Sequence, residues 1–148
     1  MKAIVLFDSG FGNTKQIAEA ISKELGVGSK AVKVSDFNIA ELSEIELFVV
    51  GSPIIGWKPS EKMGVFLSEL KEYVLKGKKA ASFDTRVRLF IHGDAASKIS
   101  QALMNAGAEI IAPSEFFYVS GKEGPLLDGE IEKAKKWAKS IRELGMGK

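Results

Sequence analysis

Short apolar runs alternate with longer stretches in which apolar residues return every third or fourth position, and this rhythm holds along the chain. Lys2 to Phe7 is apolar almost throughout, the pattern of a strand covered on both faces. From about Thr14 to Leu25, Ile17, Ile21 and Leu25 share one helical face while Lys15, Glu19 and Lys23 point away, and Gly26 and Gly28 end the helix. Ala31 to Val34 alternates, which marks a strand at a sheet edge. Asp36 to Glu44 reads as a connection with a helical turn, and Ile45 to Gly51 as a central, largely apolar strand. Ser52 to Pro59 is a loop punctuated by Gly and Pro. A helix from about Ser60 to Leu75 buries Met63, Phe66, Leu67, Leu70 and Val74, and Lys79 to Phe83 forms a fourth strand. Asp84 to Gly93 is a long connection, after which Asp94 caps a helix that buries Ile99, Leu103 and Ala106. Glu109 to Ala112 and Glu115 to Val119 are strand pieces split by Pro113, which cannot donate to a ladder. A glycine-marked loop, Ser120 to Leu127, leads to a last helix capped by Asp128, with Ile131, Ala134, Ala138 and Ile141 inward.

Strands alternating with crossover helices predict an α/β fold, a five-stranded parallel sheet with helices on both faces. The first and third strands read as central, the second and the Pro-broken fifth as edges. The resulting order is 2-1-3-4-5, a three-layer doubly wound sheet that takes its ligand where strands 1 and 3 diverge.

Composition narrows the chemistry. The 148 residues fit one domain, 1–148, and the 45% hydrophobic content argues against disorder. With no cysteine and one histidine, His92, thiol nucleophiles, disulfides, cysteine–zinc sites and paired-histidine metal sites are excluded. The apolar runs Ile4 to Phe7, Leu47 to Val50 and Phe116 to Val119 are far short of the ~20 residues that cross a bilayer. The N-terminus has no signal-peptide apolar core, so a cytoplasmic protein is expected, with no membrane partner. Basic residues (21) barely outnumber acidic ones (19) and are scattered, which argues against a nucleic-acid partner.

The candidate site begins where the first strand stops. Ser9, Gly10, Phe11, Gly12, Asn13 and Thr14 form a loop of small and hydroxyl residues that opens a helix, the setting in which free backbone N–H groups and the helix dipole bind a phosphate. Spacing removes several readings. G-x-x-x-x-G-K-[ST] is absent, and Lys15 stands where G-x-G-x-x-G requires its third glycine. A phosphoacceptor aspartate at the end of strand 3 is replaced by Gly51-Ser52. What remains is hydroxyl-rich recognition of a monophosphate.

Here Ser9, Gly12, Asn13 and Thr14 resemble the first loop of the flavodoxin family, roughly [TS]-x-[TS]-G-[NS]-T, with Phe11 departing from it. Gly51 to Ser60 is similar to the family's second flavin loop, with Ile54 and Ile55 where Thr and an aromatic are usual. Phe83-Asp84-Thr85-Arg86, after strand 4, resembles the third, and Gly121 to Leu126 the closing loop of the small single-domain members. The resemblance runs the full length and implies a flavodoxin-like fold with non-covalent FMN. It implies that Ser9 to Thr14 wrap the 5′-phosphate, and that Ser52, Pro53, Ile54, Ile55, Gly56 and Trp57, with Phe83, Asp84, Thr85 and Arg86, hold the ribityl chain and ring. Trp57 is the expected ring cover, while Trp137 belongs to the core.

The implied role is electron transfer through the flavin semiquinone and hydroquinone, with a redox partner protein docking at the flavin edge. In this family a loop peptide turns its carbonyl to flavin N5–H, and Gly56–Trp57 is the candidate because glycine tolerates both backbone states. An FMN-dependent NAD(P)H:quinone-type oxidoreductase is the alternative, and a flavin-free interaction domain the third reading. The family's electron carriers are strongly acidic, whereas this chain is not. Lys58, Arg86 and Arg88 are expected near the flavin and predict a less negative hydroquinone potential. Leu89-Phe90-Ile91 offers a patch for a partner or a weak homodimer.

Overall fold

In the computed structural model, which describes residues 2–88 and 93–145, the first apolar run is β1 (Ala3–Phe7), buried at every position. It lies between two parallel neighbours, β2 (Ser29–Lys33) and β3 (Leu47–Ile55), with Val5 opposite Ala31 on one side and Val49 on the other. A two-residue strand, β4 (Lys58–Pro59), folds back antiparallel on the end of β3. Beyond β3 comes β5 (Lys79–Val87), and the outermost position is shared by β6 (Glu109–Ile110) and β7 (Glu115–Val119), both parallel to β5. The order is β2-β1-β3-β5 with β6 and β7 outermost, the predicted 2-1-3-4-5 when counted over the five main strands, its last strand in two pieces on either side of Pro113.

Helices α1 (Asn13–Leu25) and α4 (Glu130–Gly145) cover one face of the sheet. There Val5, Ile17, Ile21, Val49, Phe83, Phe117 and Trp137 meet in one core. Trp137 packs edge-on against Phe83 and Phe117 at 6.0 and 6.1 Å, the structural role expected of it. The other face takes α2 (Glu61–Ser68), α3 (Ala96–Asn105) and two 3₁₀ turns, Val34–Asp36 and Ile39–Glu44. Their core contains Leu6, Phe48, Val50, Met63, Phe66, Ile99 and Leu103. Successive strand residues point to opposite faces, so β1 and β3 must be apolar throughout. Each fully buried Leu, Ile or Phe contributes roughly 1.5–3 kcal/mol.

Three elements differ from expectation. The helix expected over 60–75 stops at Ser68, whose hydroxyl bonds back to the Val65 carbonyl. The chain then turns, with Tyr73 in the left-handed region at φ 69° and the Leu75 N–H bonded to the Ala106 carbonyl. Leu75 is buried all the same, so tertiary contact rather than helical periodicity explains its apolar character. Strands β3 and β5 run four residues past their expected ends, because Ser52 and Pro53 pair with Asp84 and Thr85, and Asp84 to Val87 pair with Phe116 to Val119. Phe83, Asp84, Thr85 and Arg86 therefore lie within a strand and not in the loop after it. The Leu89-Phe90-Ile91 patch and His92 fall outside the described residues.

Candidate functional site

The carboxyl ends of β1, β3, β5 and β7 surround a cleft of about 540 Å³. One end is built on α1. Gly12 occupies the helix start at φ 89° and has no side chain with which to cap it, and the first turn carries no acid. The N–H groups of the first turn therefore lack intrahelical acceptors and face a region suited to an anion. Ser9 shapes the loop: its Oγ accepts from the Gly12 N–H at 3.0 Å and the Lys15 N–H at 3.4 Å. With both acceptor sites engaged, its own O–H remains to donate. Among the described residues, chain neighbours apart, no atom lies within 4 Å of where a Cβ would stand on Gly10 or Gly12, so a ligand can approach the backbone there.

The loop is braced from three directions. Asp8 accepts from the Ser9 N–H at 3.0 Å and from the Ser60 hydroxyl at 2.6 Å, joining the end of β1 to the cap of α2. The hydroxyls of Thr14 and Thr85 share a bond of 2.8 Å, joining α1 to β5. Asn13 donates to the Glu123 carbonyl at 3.2 Å, and Gly124 packs directly on its side chain. That contact places Lys122 on the cleft wall beside the first loop.

The other end of the cleft is apolar and open. Gly56 and Trp57 have φ of 59° and 71° and join Ile55 to Lys58, the two-residue turn with both central residues left-handed that suits the twist of a hairpin. Trp57, Ile55 and Phe11 line the cleft and are 59%, 56% and 55% exposed, an unusual position for three large apolar side chains. Gly93 closes on the turn from the far side: a Cβ there would fall 2.1 Å from Trp57 Cα, and the Asp94 N–H bonds the Trp57 carbonyl at 3.3 Å.

Beneath the cleft lies a buried ion cluster. Asp84 accepts from Arg86 Nε at 2.8 Å and Nη2 at 2.7 Å, and its Oδ2 also takes the Ala95 and Ala96 N–H groups at the start of α3. The guanidinium lies 3.8 Å over the Phe116 ring. Burial opposes its charge, but the bonds to Asp84 and the charges of Asp84 and Asp94 outweigh it and raise its pKa. Burial also opposes ionisation of Asp94, yet the Ser97 hydrogen bonds and the Arg86 charge hold its carboxyl below the usual range. By linkage, what Asp94 contributes to stability is complete above the ordinary aspartate pKa and is lost as pH falls through the lowered one.

A family model described as Flavodoxin matches residues 5–137. The chain belongs to the flavodoxin family. A flavodoxin of Clostridium beijerinckii is 33% identical over 84 residues, a match that spans 53% of this chain and 60% of that protein. The solved structure of a flavodoxin from the domain Archaea superposes with a TM-score of 0.81 at 26% identity, covering 99% of both chains. Flavodoxin 1 of Bacillus cereus gives 0.82 at 18% identity over 97% of this chain and 98% of that one, a likeness of fold.

Set against the flavodoxin loops, the structure gathers most of the expected residues and displaces four. Ser9, Gly10, Phe11, Asn13 and Thr14, then Pro53 to Trp57, then Thr85 and Arg86 line the cleft. Gly12, Ser52, Phe83 and Asp84 are not among its lining residues. Gly12 sets the helix entry, and the Ser52 hydroxyl is spent within the second loop, on the Pro53 carbonyl and the Ser60 N–H. Phe83 is fully buried, its ring under Gly51, and Asp84 is fully buried in the ion cluster. Arg86 is therefore not the free positive charge assumed for the flavin edge, since Asp84 and Asp94 answer it. Arg88, held 5.3 Å over the Tyr118 ring, and Lys58 do not line the cleft, although each follows in the chain a residue that does, Val87 and Trp57. Val87, Gly93, Val119 and Lys122 line it and were not singled out. Of these only Lys122 carried a sequence signal, its place in the closing loop between Gly121 and Gly124.

Proposed function

We propose that this chain binds FMN non-covalently in the cleft and carries electrons between redox partners. Membership of the flavodoxin family supports the cofactor and the role. The observation that carries the reading is the pairing, in one cleft, of a glycine-led helix start without acidic residues at one end with half-exposed apolar walls at the other. A phosphate suits the first and a flat aromatic ring the second. Bound FMN would supply one- and two-electron chemistry, and the protein tunes it by hydrogen bonds and nearby charge.

In this reading the first-turn N–H groups, the Ser9 hydroxyl and Lys122 hold the phosphate, while Phe11, Ile55 and Trp57 shield the ring from water. The Gly56–Trp57 peptide would be the group that holds the proton at flavin N5. A redox partner protein docks at the open mouth. No helix among the described residues is long and apolar enough to cross a membrane, and a cytoplasmic place accords with the reading. Protein purified after FMN loading should be yellow, and an anaerobic titration should bleach it reversibly. Failure of the apoprotein to take up FMN would overturn the assignment.

Two variants test individual residues. Lys122→Ala should weaken FMN binding about five- to tenfold at low salt, the scale of one charge-assisted contact, and leave riboflavin affinity unchanged. Flavin-fluorescence titrations measure both, and an equal loss for riboflavin would place Lys122 away from the phosphate. Gly56→Val meets no atom within 4 Å, so its effect is conformational: at φ 59° glycine lets the 56–57 peptide turn either way, and a β-branched residue should oppose the turned state by roughly 1–2 kcal/mol. The first-electron potential should fall by about 40–80 mV, at ~59 mV per tenfold change in the one-electron equilibrium. An unchanged potential would rule out a role for that peptide.

A further inference from the structure

We propose that Glu130 and Lys133, from the first turn of α4, act as a surrogate strand that closes the β7 edge of the sheet against pairing with a second copy of this chain. Among the described residues β7 has a strand neighbour, β5, on one side only, so the backbone groups of alternate residues point away from the sheet. Those residues are Phe116 and Tyr118. The Phe116 N–H donates to Glu115 Oε1 at 2.9 Å, and the Phe116 carbonyl accepts from Lys133 Nζ. The Tyr118 N–H donates to Glu130 Oε1 at 2.7 Å, and the Tyr118 carbonyl accepts from the Leu127 N–H at 2.9 Å. Three side chains and one N–H thus fill the places of a neighbouring strand. Lys133 also lies 3.5 Å from Glu130 and 3.9 Å from Glu115, and 4.8 Å over the Tyr118 ring. The Glu130 side chain is 12% exposed, which sets this network apart from a surface ion pair whose partners stay in water.

The composition of β7 makes such closure necessary. Glu-Phe-Phe-Tyr-Val is aromatic and β-branched, without proline, and so prone to strand addition. The opposite edge, β2, is protected by its own exposed Lys30 and Lys33. β7 carries no lysine and takes one from the helix that follows. The occupant that matches this edge is the same edge of another copy. Antiparallel strands related by a twofold axis near Phe116 would exchange the Phe116 N–H and carbonyl bonds and set their aromatic rows face to face. Ala134, Trp137, Ala138 and Ile141 hold α4 in the core, so truncating two side chains at its start leaves the helix docked. It also opens the side on which a neighbouring strand would lie, ~4.8 Å from β7.

Glu130→Ala with Lys133→Ala removes both contacts and leaves the net charge unchanged. At roughly 50–100 μM this variant should sediment with twice the mass of the unaltered protein. In dilute solution its Tyr118 amide should exchange about ten- to a hundredfold faster, the loss of one charge-assisted hydrogen bond, while the Phe117 amide, which faces β5, keeps its native rate. Raising the concentration should slow Tyr118 again as the copies pair. Glu130→Gln with Lys133→Arg keeps an acceptor and a donor in place and should retain the native mass. Lys133→Met keeps the apolar stem beside Tyr118 and opens the edge less, so it should pair at about tenfold higher concentration than the double alanine variant. Unchanged mass in the double alanine variant, or in Lys133→Met if the former does not fold, overturns the proposal. So does an open-ended assembly, which twofold pairing cannot build, and so does pairing by Glu130→Gln with Lys133→Arg.

Discussion

Asp84→Ala is expected to destabilise the apoprotein by about 3–5 kcal/mol, the range for removing one partner of a buried ion pair. Asp84 has no exposed surface, and its two oxygens take both Arg86 contacts and the first N–H groups of α3. Alanine removes all of these at once. The guanidinium, 6% exposed, loses its two-pronged contact and keeps Asp94 at 3.6 Å. Arg86→Met should be milder, about 1–2 kcal/mol, because the carboxylate keeps the helix N–H groups and the favourable end of the dipole. Urea unfolding with unchanged m-values measures both, and thermal unfolding should show a loss of roughly 10 °C for the alanine variant. If Arg86→Met proved as damaging as Asp84→Ala, the bonds of Asp84 to the start of α3 would not be what separates the two variants.

Gly93→Ala should loosen FMN about ten- to a hundredfold, since displacement of a binding element by an ångström or so carries costs of that order. The new methyl would lie 2.1 Å from Trp57 Cα and 2.4 Å from both its carbonyl carbon and oxygen. These are backbone atoms, which cannot swing aside as a side-chain tip would, so the Gly56–Trp57 hairpin has to retreat by more than an ångström. The Asp94–Trp57 hydrogen bond goes with it. Stability should fall by about 1–3 kcal/mol, as in other overpacked sites. Gly64→Ala is the matched comparison: it lies inside α2 with no atom within 4 Å, and alanine there should add about 0.5–1 kcal/mol. Native-like FMN affinity in Gly93→Ala would show that the hairpin is not positioned from that side.

The sequence was most informative where local pattern and tertiary role coincide. Val5 and Leu6 serve opposite cores, so β1 had to be apolar throughout, and Ile17, Ile21 and Leu25 have no use except on the inner face of α1. The first loop was legible for a related reason, since glycine and hydroxyl residues ahead of a helix signal an anion site locally. Ser52, Asp84, Thr85 and Arg86 misled because polar residues suggest a loop. Here they lie within strands, and their partners are remote: the Ser60 N–H, the start of α3 and the Thr14 hydroxyl. No periodicity marks such pairings. Lys122 and Gly93 were hidden in the same way, the one delivered by the contact of Gly124 with Asn13, the other significant only because Trp57 passes so close.

The bonds between Thr14 and Thr85, and between Asn13 and Glu123, also bear on how the site comes into being. They span 71 and 110 positions of the chain, so the cleft is assembled from segments far apart in sequence. Contacts this distant in sequence are costly to close and form only as the parallel sheet assembles. The pocket is thus a property of the completed fold: a cofactor that recognises it binds the native state alone, and each tenfold excess of cofactor over its dissociation constant adds about 1.4 kcal/mol of stability. Supply of the ligand, and not only the core, then sets how long a folded copy persists.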